Sequence, residues 1–282
     1  YLFSHGNDAV APARKQRAVD AGALEAAVNA VRAHPQVPGV QQWGCSVLDA
    51  MCRGDDAAKL ACKQRAADAG ALEAVVDALR AHPQEAAVQW GGCTVLLNIC
   101  CGDDAAGLAR RERAAEAGAF EAVVDALRAH LQVAAVQLQG CMALCTVCNG
   151  DDAAALARKQ RAVDAEALEA ALQAMQAHPQ AAGVQAAGCA ALTNMCSSDD
   201  AAGLARKQRA VGVGALEVVV DALRAHPQAA AVQWRGCGAL LNMCFGSDAA
   251  ALARRQRAAE AGGPEAAAAA MQAHPGDAEV QR

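Results

Sequence analysis

Four residue types recur at spacings that could carry chemistry: paired aspartates, histidines, cysteines and a line of basic residues. Asp55-Asp56, Asp103-Asp104, Asp151-Asp152 and Asp199-Asp200 have the makings of a divalent-cation or acid/base site. Each pair also stands where a helix must begin, and that recurrence reads as capping. His34, His82, His130, His178, His226 and His274 invite a zinc reading. Equivalent positions on packed helices lie roughly 8 to 10 Å apart, however, whereas zinc holds each nitrogen at about 2 Å. A histidine closing a helix against its dipole is expected instead. Cys145-Thr146-Val147-Cys148 is formally a CxxC, but it lies inside a helical pattern with no second pair or histidine at ligand spacing. No GxSxG, P-loop or GxGxxG stands between a strand and a helix, and no strand is predicted. No enzyme is expected, and no metal or cofactor.

The elements that position these residues come from an alanine-rich chain of 282 residues with only 2% aromatics. Small apolar side chains of this kind suit an all-helical fold and cannot fill an aromatic-centred sandwich. No apolar run nears the roughly 20 residues of a membrane span, and no secretory signal opens the sequence. The formal net charge of −5 is spread along the whole length, which makes nucleic acid an unlikely main partner. Of the 13 cysteines, Cys45 and Cys52, Cys93 and Cys100, and Cys237 and Cys244 are seven apart on one helix. That is roughly 10 Å between Cα atoms, beyond the roughly 7 Å limit of a bridge. Reduced thiols in a cytoplasmic, reducing compartment are expected.

The motif Arg17-Ala-Val-Asp-Ala-Gly-Ala-Leu-Glu25 returns at Arg65, Arg113, Arg161, Arg209 and Arg257, each time 48 residues on. Val-Gln followed by Gly-Cys keeps the same register from Val40, Val88, Val136, Val184 and Val232. Such a period marks stacked supersecondary units. In the second unit, Gly54-Asp55-Asp56-Ala57 opens a first helix from about Asp56 to Ala69, and Gly70 ends it. Glu166 replaces the corner glycine in one unit and should be a strained or reshaped corner. A second helix carries Leu72, Val75, Val76 and Leu79 on one face and stops at His82-Pro83-Gln84. A third runs from about Ala86 to Cys100, with Val88, Gly92, Cys93, Leu96 and Ile99 inward. The small Gly-Cys pair allows neighbouring helices to approach closely.

Three helices per unit and a third helix of the form Val-Gln...Gly-Cys-x-x-Leu-x-Asn-Met-Cys resemble the armadillo repeat, over the whole chain; two-helix HEAT repeats are the alternative. The resemblance implies an all-α, right-handed α-solenoid. Residues 1–282 would be one array with units 6–53, 54–101, 102–149, 150–197, 198–245 and a partial 246–282. Tyr1-Leu2-Phe3 would fall in the last turn of a third helix, and Ala278 to Gln281 would begin another, as in a window cut from a longer array.

In that family the third helix lines a concave groove, and an asparagine ladder grips an extended peptide. Asn98, Asn194 and Asn242 hold the ladder register here, interrupted by Ala50 and Thr146. Members that bind basic localisation peptides carry a tryptophan four residues earlier, where this chain has Ser46, Thr94, Met142, Ala190 and Gly238. Its tryptophans lie elsewhere on the third helices. Trp90 and Trp234 are eight residues before Asn98 and Asn242, Leu138 takes the equivalent place, Trp43 lies one residue on, and Phe245 follows near the end. Residues that vary between units are free to serve a ligand, and tryptophan is a common interface anchor. The expected function is a protein-interaction scaffold whose groove, lined by these residues and Met142, binds a protein or an extended peptide of roughly 15 residues. Two alternatives stand: a structural subunit of a larger assembly, or a polyanion binder using the first-helix basic residues. Those run Lys15/Arg17, Lys63/Arg65, Arg111/Arg113, Lys159/Arg161, Lys207/Arg209 and Arg255/Arg257. Acidic residues three positions after several of the arginines suggest a solvated, locally compensated ridge.

Overall fold

The computed structural model describes residues 11–246 and 249–281; the sequences expected at Tyr1–Phe3 and Gly6–Ala9 lie outside them. The described residues form α-helices with no strand. They gather into two compact units, Tyr1–Ala129 and His130–Arg282. The first holds α1 (Ala11–Asp20), α2 (Ala23–Ala33), α3 (Pro38–Cys52), α4 (Ala57–Asp68), α5 (Ala71–Ala81), α6 (Ala86–Cys100), α7 (Ala105–Glu116) and α8 (Ala119–Ala129). The second holds α9 (Ala134–Val147), α10 (Ala153–Asp164), α11 (Ala167–Ala177), α12 (Ala182–Met195), α13 (Ala201–Gly212), α14 (Ala215–Ala225), α15 (Ala230–Cys244), α16 (Ala249–Glu260), α17 (Gly263–Ala273) and the four-residue α18 (Ala278–Gln281).

Local rules account for the boundaries. The second aspartate of each pair caps the helix it precedes: Asp56, Asp104, Asp152 and Asp200 each accept a hydrogen bond from the backbone three residues on. At the following corner Gly70 has φ 85°, and a Cβ there would meet Arg32 Nη2 at 1.9 Å. Glycine is therefore required twice, by the left-handed backbone and by the arginine laid against it. Glu166 adopts the same left-handed conformation at φ 63°, so this corner keeps its shape and carries the strain. Ser198, at φ 86°, is a second left-handed non-glycine residue, where Gly54, Gly102, Gly150 and Gly246 stand in register.

The amphipathic second helices bury the stripe their sequence displays; in α5, Leu72, Val75, Val76 and Leu79 are inside while Asp77 and Arg80 are exposed. The third helix turns back against them at the Val-Gln marker. Gln89 Nε2 donates to the carbonyls of Leu79 at 2.9 Å and His82 at 2.8 Å, tying the end of α5 to the start of α6. Gln41, Gln185, Gln233 and Gln281 make the same pair of bonds. A Cβ at Gly92 would stand 2.6 Å from Leu79 Cδ2, which is why the helix interface needs so small a residue there. In the first unit α3 packs on α6; in the second, α12 packs on both α9 and α15, forming a layer of three.

Candidate partner-binding surface on the third helices

The recurring polar residues are consumed inside the fold. Arg110, Arg158, Arg206 and Arg254, on the first helices, are at most 2% exposed. Each directs Nε to a carbonyl near the end of the preceding third helix: Ile99, Val147, Met195 and Met243, at 2.7 to 3.1 Å. Their Nη2 atoms reach Cys101, Asn149, Ser197 and Phe245. The fork closes carbonyls that the helix itself leaves unpaired. The cation one position further on is buried as well in four helices, while Arg255 is exposed. Lys63 and Lys207 are 1% exposed and pair with Asp55 and Asp199, while Arg111 pairs with Asp103. Lys159 is also buried and donates instead to Gly150 O and to Ser197 Oγ. Burial pulls its ammonium below the usual lysine range.

These observations correct the expected solvated ridge. Four of the outer arginines find their acidic partner far back in the chain. Arg65, Arg113, Arg209 and Arg257 pair with Glu25, Glu73, Glu169 and Glu217, each 40 residues earlier. The guanidinium holds the Glu25 carboxyl below the ordinary glutamate range. The histidines are likewise long-range donors: Nε2 of His82, His178, His226 and His274 lies 2.7 to 2.9 Å from a carbonyl 47 residues back. A ring nitrogen facing a carbonyl must carry the hydrogen. Among the described residues no group of His, Cys, Asp and Glu is placed to hold a metal ion.

In the first unit, Trp43 on α3 is 51% exposed and Trp90 on α6 is half-buried. Asn98 donates its amide at 2.6 Å to Asp49, whose carboxylate also receives Arg53. In the second unit, Leu138, Met142 and Asn194 are half-buried and Trp234 is 37% exposed. Asn194 Nδ2 donates to Cys145 O at 2.8 Å, and Asn242 Nδ2 to Thr193 O at 3.3 Å. Each asparagine of the expected ladder thus spends a donor on the third helix 49 residues before it; the amide oxygens and remaining hydrogens are what a ligand could use. Phe245 stands apart from Trp234, about 16 Å along the helix at 1.5 Å per residue. Its exposed ring lies under Lys207 Nζ at 5.5 Å and lines a cavity of about 570 Å³ with Leu204, Leu241 and Arg255, on the first-helix side.

The residue that sequence reasoning passed over is Arg235. Its guanidinium lies over the Trp234 ring at 5.0 Å, and Nη1 reaches Ala186 O at 3.4 Å and Met142 Sδ at 3.6 Å. The side chain thus touches α12 at Ala186 and α9 at Met142. Trp234, Arg235, Leu138, Met142 and Cys145 are thereby gathered on the layer formed by α9, α12 and α15. Burial pushes the Cys145 thiol up to about 11, with Arg235 opposing the rise. A charged residue on a strip otherwise free of charge was the available signal. The surface offers aromatic and thioether contacts, a cation and amide groups, which suit recognition. No family model, curated protein or solved structure matches this chain.

Proposed function

We propose that the chain is a non-enzymatic, cytoplasmic interaction scaffold in which each unit is a stretch of armadillo-type, right-handed solenoid with a 48-residue repeat. A peptide or protein partner binds along the third helices. The observation that carries the reading is a division of labour. Residues that recur every 48 positions, including the glutamines, buried arginines and histidines, are occupied by internal bonds. Residues that vary, among them Trp43, Trp90, Leu138, Met142 and Trp234, stay partly exposed on the third helices. A polyanion would find little on most first helices, where Lys63, Arg111, Lys159 and Lys207 are buried and four outer arginines are paired, leaving Arg255 as an exposed inner cation.

A photo-crosslinking amino acid placed at Trp234, and separately at exposed Asp221 on α14, tests this reading in extracts of the native source. Partner cross-links at position 234 and not at 221 are expected. The reverse pattern favours a structural subunit held by its second helices and removes the groove reading.

A further inference from the structure

We infer that Arg235 is the docking point for a carboxylate, so that the partner of the second unit is a peptide segment bearing an aspartate or glutamate. The inference rests on the third-helix reading above and adds the chemistry of the ligand. The helices α9, α12 and α15 contain no other Asp, Glu, Lys or Arg. Arg235 forms no ion pair with any described residue, and its Nε is buried with no hydrogen-bond partner. Its contacts are weak for a cation: a long bond to a carbonyl, a thioether and the face of an indole. The comparison within the chain is Asp49, the one charge on the third helices of the first unit. That carboxylate is matched by Arg53 and by Asn98.

The surroundings make the cation a selective one. Trp234 and Met142 lie against the guanidinium. Nη1 is engaged by Ala186 O and Met142 Sδ, whereas Nη2 bonds no described residue and can donate to a carboxylate oxygen. An extended chain lying across α12 would place an acidic side chain there while an apolar neighbour met Trp234 or Leu138. In so apolar a setting the charge pair is stronger than at an open surface.

Selection from a random 15-residue peptide display library against the intact protein, followed by affinity measurements on the enriched peptides, tests the inference. Enriched peptides should share an Asp or Glu. Changing it to Gln or Asn, or making Arg235→Met, should weaken binding about 10- to 100-fold, the scale of a hydrogen bond to a charged group. Arg235→Glu should enrich Lys or Arg in its place. Should Arg235→Met not fold, as judged by helical circular dichroism, the change in the peptide alone decides. Peptides that lose binding on Trp234→Ala but ignore both the acid and Arg235 overturn this inference and leave the third-helix reading standing. Enriched peptides indifferent to Trp234→Ala, or no enrichment at all, overturn both.

Discussion

Arg206→Met measures what the buried arginines contribute. Arg206 is 1% exposed and closes two carbonyls at the end of α12, Met195 O at 2.9 Å and Ser197 O at 3.2 Å. Its contact with Gln160 Oε1, at 3.5 Å, is at the limit of a hydrogen bond and adds little. Methionine fills a similar volume without a donor, so packing is largely kept and the carbonyls lose their partner. Each buried unsatisfied group costs about 1 to 3 kcal/mol. The fold no longer has to strip water from a guanidinium, and this offsets part of the loss. The net destabilisation should be about 2 to 4 kcal/mol. Arg206→Lys keeps the charge but not the fork and should fall between the two. Urea unfolding followed by circular dichroism gives the overall value. With Trp43 and Trp90 replaced by Phe, the emission of Trp234 reports the second unit. A loss below about 0.5 kcal/mol for Arg206→Met would show that desolvation cancels the capping, and the account of this arginine set would fall. Cys62 occupies the same register in α4, where no such fork is available.

Three further outcomes follow from the geometry. Glu166→Gly should stabilise by up to about 1 kcal/mol, because the left-handed corner at φ 63° favours glycine; a lower melting temperature would mean that the contacts of this side chain outweigh its backbone strain. Cysteine labelling at pH 8 should be slow in the folded protein at Cys45, Cys93, Cys148 and Cys189, whose thiols burial pushes up to about 12, and faster at half-buried Cys101 and Cys237. Unfolding without reductant should release all 13 thiols, and several missing would contradict the expected reducing compartment. The carboxyls of Glu25 and Asp55 are held below their ordinary range, chiefly by hydrogen bonds from Arg65 and Lys63. Their contribution is therefore complete above the unfolded carboxylate pKa of about 4 and is lost as pH falls through the lower folded values. Glu25→Gln should flatten the melting-temperature profile between about pH 5 and 2, and superimposable profiles would rule out this ion pair as a source of acid sensitivity.

Features that depend on a few neighbouring residues could be read before any fold was known. The aspartate caps, the glycine corners, the strained Glu166 and the limits of α6 all follow from interactions within about four residues along one helix. The apolar stripe of α5 was equally plain, because burial there coincides with hydrophobicity. The first helices misled for the opposite reason. In α7 the buried positions are Gly107, Arg110, Arg111, Ala114 and Ala115, a regular helical stripe in which two residues are charged. Read by residue type, the arginines belong outside; read by position, they belong inside. Only packing decides between the two, because the carbonyls that make burial tolerable come from another helix, and the glutamates that pair with the outer arginines lie 40 residues back. The same limit applies to the candidate surface. Sequence singled out Trp234, Met142 and Asn194 as variable or ladder positions, yet the guanidinium reaching Met142 comes from Arg235, 93 residues away, a contact that exists only when three helices lie side by side. Local rules set where the helices begin and end; the tertiary structure set which charges are buried and which one is left without an ion-pair partner among the described residues, since both depend on contacts between residues far apart in the chain.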